Sequence, residues 1–189
     1  MPAHHPSLEH LTQDIMHCRA CRLHLNRTNA VPGEGPSHPR IMLIGEAPGE
    51  QEDRLARPFI GPTRRYFDQL LQDFELIRED LFITSSVKCR PPNNRDPKDD
   101  ELVTCRELWL EKQISVLNPK ILVLLGRTAL RCLFADTGKL KDLHGTTRLY
   151  QGRTTLLTYH PTAGMRFPLV HKAMVHDFTV LKSLMAEQV

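Results

Sequence analysis

The chain has 189 residues, enough to bury a substantial core as one domain, and its 40% hydrophobic and 25% charged residues exclude wholesale disorder. A formal net charge of +3 permits nucleic-acid binding without demanding it, so the clustering of charge matters more than its total. Residues 1–10 are polar, which excludes a secretory signal, and no stretch approaches the roughly 20 apolar residues of a membrane span. A cytoplasmic, nucleoid-associated location with reduced thiols is the expectation.

Taken in order, residues 8–15 have mixed helical spacing and lead straight into Cys18. A loop rich in Pro and Gly follows, and the apolar run 41–44, ending at Gly45, reads as a buried strand. Residues 65–77 carry Phe67, Leu70, Leu71 and Phe74 at helical spacing, and 81–84 reads as a second strand. Segment 90–97 holds three prolines and excludes regular structure. Residues 99–117 form the longest expected helix, 121–126 the clearest buried strand, and 128–134 the helix after it. A last strand at 154–158 and a terminal helix at 172–185 complete the series. Strands alternating with helices indicate a three-layer α/β/α sandwich with a mostly parallel central sheet, spanning residues 1–189 as a single domain. Ligands of such sheets bind beyond the carboxyl ends of the strands, where Gly45, Ser85, Gly126 and His160 fall.

Four cysteines stand out. Cys18 and Cys21 form a C-x-x-C pair, while Cys89 and Cys105 are single and fifteen residues apart, unlike the paired spacing of a zinc ribbon. Four thiolates suit tetrahedral zinc or a cubane iron–sulfur cluster, and the spacing does not choose between them. The plain alternative is that Cys89 and Cys105 are ordinary buried cysteines; Cys132, in an apolar helix, reads as core.

The segment Gly45-Glu46-Ala47-Pro48-Gly49 leaves its strand through small residues that let a ligand approach the backbone, and it lacks the Gly-Lys-Ser/Thr ending of a phosphate loop. Glu46 in that turn is placed to orient a water, with Glu52 and Asp53 as further carboxylates; alone, the segment reads as a strand-ending turn with solvated acids. Phe59, in a loop flanked by Pro58 and Gly61, serves equally as a stacking platform for a base or as a core plug. His160 follows a strand directly, and Pro161 restrains it to extended geometry. Arg64-Arg65 and Lys88-Cys89-Arg90 are the basic clusters to watch.

Together, C-x-x-C, GEAPGEQED, RPFIG, ITSSVKCRPPNNR, the fourth cysteine, PKILVLLG and YHP resemble the iron–sulfur uracil-DNA glycosylases, family four of the uracil-DNA glycosylase superfamily, over about residues 18–182. The resemblance implies a [4Fe–4S] cluster on Cys18, Cys21, Cys89 and Cys105, structural rather than redox-active. It implies monofunctional hydrolysis of the N-glycosidic bond of a base flipped out of DNA, leaving an abasic site. Glu46 then positions or activates water, Glu52 is a further acid near the site, and Gly45, Ala47, Pro48 and Gly49 form the first motif. Phe59 stacks on the base, and His160 hydrogen bonds its carbonyl as negative charge develops. Pro161 to Arg166, with Met165, matches the loop that wedges into DNA, and Arg64, Arg65, Lys88 and Arg90 are the expected DNA-facing cations.

The chain departs from the family at three places. Ser85 stands where an asparagine usually reads the pyrimidine edge, and a serine hydroxyl cannot offer the paired donor and acceptor of an amide. Pro62-Thr63-Arg64-Arg65-Tyr66 replaces small residues and leucines, and Gly164-Met165 replaces a common pair of leucines. Two enzymatic readings follow: excision of uracil with weakened selectivity, or of a modified pyrimidine of phage DNA in antiviral defence. A non-catalytic DNA-binding relative is a third. A monomer without membrane contact is expected.

Overall fold

The computed structural model describes residues 7–187. Its sheet has five strands: β1 (Ile41–Gly45), β2 (Leu81–Ser85), β3 (Ile121–Leu125), β4 (Thr147–Tyr150) and β5 (Arg153–Thr158). They lie in the order β2-β1-β3-β5-β4, all neighbours parallel except the antiparallel edge pair β4–β5. β1, β2 and β3 are buried at every position, as expected for parallel strands covered on both faces.

Alternate residues of these strands supply two cores. Met42, Ile44, Phe82, Leu122, Leu124 and Leu157 pack on one face with Ile15 of α1 (Leu8–Met16), Leu102 of α4 (Asp99–Cys105), Ile114 of α5 (Glu111–Leu117) and Leu130 of α6 (Arg127–Phe134). Ile41, Leu43, Leu81, Ile83, Val123 and Leu156 pack on the other with Phe67 of α3 (Arg64–Asp73) and Phe178 of α8 (Pro168–Glu187). The three-layer sandwich is thus as expected.

Several boundaries differ. α3 stops at Asp73, because Glu75 takes a left-handed backbone (φ 59°) that turns the chain towards β2. The expected 99–117 helix is interrupted by a π turn at Arg106–Leu110, and α8 begins at Pro168, four residues earlier than expected. Unforeseen elements are α2 (Glu50–Leu55), α7 (Pro161–Arg166) and β4. β4 alternates exposed and half-buried residues, so it carries no apolar run to detect. No helix among the described residues is long and apolar enough to cross a membrane. Most of the polar segment 1–10 lies outside the described residues.

Candidate active site and thiol cavity

The carboxyl ends of β1, β2 and β5 open onto a cleft of about 430 Å³ lined by Ala47, Pro48, Gly49, Glu52, Phe59, Ser85 and His160. Phe59, His160 and Glu52 are each held by specific contacts. Phe59 sits at φ 51°, an unfavourable backbone for a bulky residue, and its ring lies against the Cα of Gly45: a Cβ there would come 2.5 Å from Phe59 Cζ. Gly45 is therefore what lets the ring reach the pocket wall. The ring also stacks on the His160 imidazole, with centroids 5.6 Å apart and planes 30° off parallel, and leans on Phe67 behind it.

His160 caps the N-terminus of α7, where the Thr162 N–H donates to its Nδ1 at 3.3 Å. A ring nitrogen that accepts cannot carry the proton, so the neutral tautomer bears it on Nε2. Burial pushes the imidazole down to about 4, with Glu52 pulling weakly the other way, so the ring is neutral at physiological pH. Pro161 fills the first helical position of α7, which has no need of its missing N–H.

Glu52 projects from α2 into the gap between Gly49 and Gly61. Its Oε1 accepts the backbone N–H groups of Ile60 at 3.0 Å and Gly61 at 2.8 Å. A Cβ on Gly49 would come 2.8 Å from Oε2, and one on Gly61 3.0 Å from Oε1. Among the described residues Oε2 accepts no hydrogen bond, and Glu52 lines the cleft. Glu46 is placed differently: its carboxylate accepts the Thr128 hydroxyl at 2.7 Å, at the start of α6, and it does not line the cleft. Burial raises its pKa, with the Thr128 hydrogen bond opposing.

Ser85, buried at 5% exposure, ends β2 at the cleft. Met165 and Arg166 of α7 are exposed on its rim. Arg64 and Arg65 are exposed on α3, in a neighbouring groove that shares Gly61, Pro62 and Met165 with the cleft. Arg90 donates to Asn94 Oδ1 at 2.7 Å, and Asn94, a cleft residue not anticipated from the sequence, holds a left-handed backbone. Two expected DNA contacts are corrected. Lys88 is only 1% exposed, its ammonium turned inward to Thr84 and Ser85, so it cannot meet a phosphate. Pro161 is buried at the first position of α7 and serves the helix start.

Behind β2 lies a second, much smaller cavity lined by Cys18, Cys21, Cys89 and Cys105 together. Cys18 and Cys21 follow α1, Cys89 follows the end of β2, and Cys105 ends α4. Three nitrogen donors already point at sulfur: Arg27 Nη1 to Cys89 (2.9 Å), Trp109 Nε1 to Cys18 (3.1 Å) and the Ala20 N–H to Cys18 (3.5 Å). The π turn carries Trp109 to that position; π turns often mark functional sites. Among the described residues no three His, Cys, Asp or Glu side chains are gathered closely enough to hold a single metal ion. Cys132 packs in the core of α6, as expected.

Residues 32–179 match the profile of the family described as the uracil DNA glycosylase superfamily. The chain is 38% identical over 187 residues to a type-4 uracil-DNA glycosylase of Sulfurisphaera tokodaii, covering 94% of this chain and 84% of that one. It is 41% identical over 162 residues to a type-4 enzyme of Thermotoga maritima, covering 84% and 83%. A type-5 uracil-DNA glycosylase of Thermus thermophilus is 33% identical over 150 residues, 69% of this chain and 68% of that one. With its sandwich fold and a cleft at the strand ends, the chain belongs to the uracil DNA glycosylase superfamily.

Proposed function

We propose that the protein excises uracil from DNA by hydrolysing the N-glycosidic bond, without a covalent enzyme intermediate, and leaves an abasic site. The observation that carries this reading is the pairing of Phe59 with His160: an aromatic face to stack a flipped base, beside a neutral imidazole whose Nε2–H serves as a donor. Support also comes from the type-4 names of the relatives.

In this reading the uracil ring leaves the helix and slides along Phe59, at an unstacking cost of a few kcal/mol. As the bond to C1′ breaks, its electrons pass into the pyrimidine ring and negative charge grows on the carbonyl oxygen that faces His160. The Nε2–H hydrogen bond strengthens as that charge develops, which lowers the barrier rather than only tightening binding. A water bonds to C1′ and gives its proton to Glu52, whose Oε1 is anchored by two backbone N–H groups while Oε2 is left to accept. Glu46, held by Thr128, stabilises the motif and the start of α6 rather than touching the water. Arg64, Arg65, Arg90 and Arg166 are the cations for the phosphate backbone, and Met165 is the apolar tip for the gap left by the base.

The thiol cavity fits a [4Fe–4S] cluster on Cys18, Cys21, Cys89 and Cys105. All four thiols surround one space, and nitrogen donors aim at the sulfurs of Cys18 and Cys89. When bound, the cluster supplies a rigid cross-link between the segment after α1, the end of β2 and α4. The protein then acts as a single domain and a monomer on DNA in the cytoplasm.

The test is base release from oligonucleotides carrying one uracil, followed by alkali cleavage at abasic sites. Cleavage at uracil with none at thymine or cytosine supports the reading; no base release from uracil-bearing DNA overturns it.

A further inference from the structure

Lys88 is among the largest fully buried side chains of the protein. Its ammonium donates to Thr84 Oγ1 at 2.6 Å and to the Ser85 carbonyl at 2.9 Å, both neutral groups. The Thr84 hydroxyl spends its own proton on the Pro32 carbonyl at 2.8 Å, so towards Lys88 it can only accept. Among the described residues no carboxylate pairs with Lys88. A buried ammonium without an opposing charge is strongly unfavourable, so a negative charge nearby would stabilise it. The ionisable groups facing it are the thiols of Cys89, Cys105 and Cys132. Lys88 also lines the thiol cavity. Lys88 thus lies between two sites: it lines the sulfur cavity, and its ammonium holds the strand end that carries Ser85.

We propose that Lys88 is the buried counter-cation of the four-thiolate cluster and the link through which the cluster holds the Ser85 end of the base pocket. The proposal rests on the iron–sulfur reading above, because four thiolates around a cubane cluster carry net negative charge, whereas four thiols do not. Nearby charge is one of the factors that set a cluster's reduction potential. Lys88 acts on the base through Ser85, as a positioning residue.

The experiment compares wild-type protein with Lys88→Met, which removes both charge and donors, and Lys88→Gln, which removes the charge but keeps an N–H donor. The midpoint potential of the bound cluster is read by dithionite titration of the visible absorption, with iron retention against a chelator measured alongside. Both variants are expected to show a more negative potential, since reduction is no longer stabilised by the ammonium. Metal affinity should fall roughly 10–100-fold, the usual effect of losing a partner just outside the ligands. Lys88→Met should also raise KM for uracil-bearing DNA more than Lys88→Gln does. Stripped of the cluster, Lys88→Met should melt at a higher temperature than stripped wild type, because an uncompensated charge has been removed. An unchanged potential in both variants, or variants that fold worse than wild type after stripping, overturns the proposal. Wild-type protein that purifies without iron or visible absorption instead overturns the iron–sulfur reading beneath it.

Discussion

The Tyr66 hydroxyl occupies the space that a side chain on residue 164 would need. A Cβ built on Gly164 would collide with that hydroxyl and come 2.5 Å from Met174 Sδ. The same hydroxyl is 3.0 Å from His171 Nδ1, so Tyr66 of α3 pins the junction between α7 and α8. Tyr66 and Gly164 are therefore packed as a pair.

That coupling is measurable. Gly164→Ala should destabilise the protein by about 1–3 kcal/mol, the usual cost of overpacking. In the Tyr66→Ala background the cost should shrink, giving a coupling energy of about 1 kcal/mol or more in a double-mutant cycle by urea unfolding. Additive effects would mean that the tyrosine moves aside freely.

The two carboxylates of the first motif should separate by mutation. Glu52→Gln removes the proposed proton acceptor and should lower the single-turnover rate roughly 10²–10⁴-fold, the range for general-base loss. Glu46→Gln keeps an acceptor for Thr128 and should cost far less. A larger loss at Glu46 than at Glu52 would return the water to Glu46.

This contrast also shows where the sequence stops being informative. The strands at 41–45, 81–85 and 121–125 are uninterrupted apolar runs ending in turn or polar residues, so the sheet and the position of the cleft were readable from pattern. Which carboxylate faces the cleft was not, because it depends on the direction in which α2 leaves Gly49, and on two glycines twelve residues apart that make room for Glu52. Lys88 read as a DNA contact because it neighbours Arg90, and only the turn after β2 sends it inward. Trp109 and Arg27 carried no signal, since their N–H groups reach sulfur from positions far away in the chain.

His160 sets a pH dependence with a definite sign. Its folded value, about 4, lies below the ordinary 6.5, so the unfolded chain takes up the proton first as pH falls. Stability should therefore be at its full value above pH 6.5 and decline between pH 6.5 and about 4, by up to ~3 kcal/mol from this group. His160→Gln should remove most of that slope in urea titrations across this window. The turnover rate should stay level with respect to this group down to about pH 5, since the neutral ring is the active form. A rate that falls with a midpoint near 6.5 and disappears as a feature in His160→Gln would show a solvated imidazole instead.

Ser85 offers the most direct test of base reading. It is 5% exposed and lines the cleft. Lys88 holds the Ser85 carbonyl, so the backbone is fixed whichever side chain is present. Ser85→Asn introduces a donor and an acceptor side by side, the arrangement needed to read a pyrimidine edge. A bidentate base contact is worth about 1–3 kcal/mol, which corresponds to roughly 5–150-fold in discrimination. Uracil excision by Ser85→Asn should therefore gain kcat/KM within that range over wild type, while release of cytosine stays at background. No gain for uracil would mean that residue 85 does not read the base, and that selectivity rests on the Phe59 and His160 walls of the pocket.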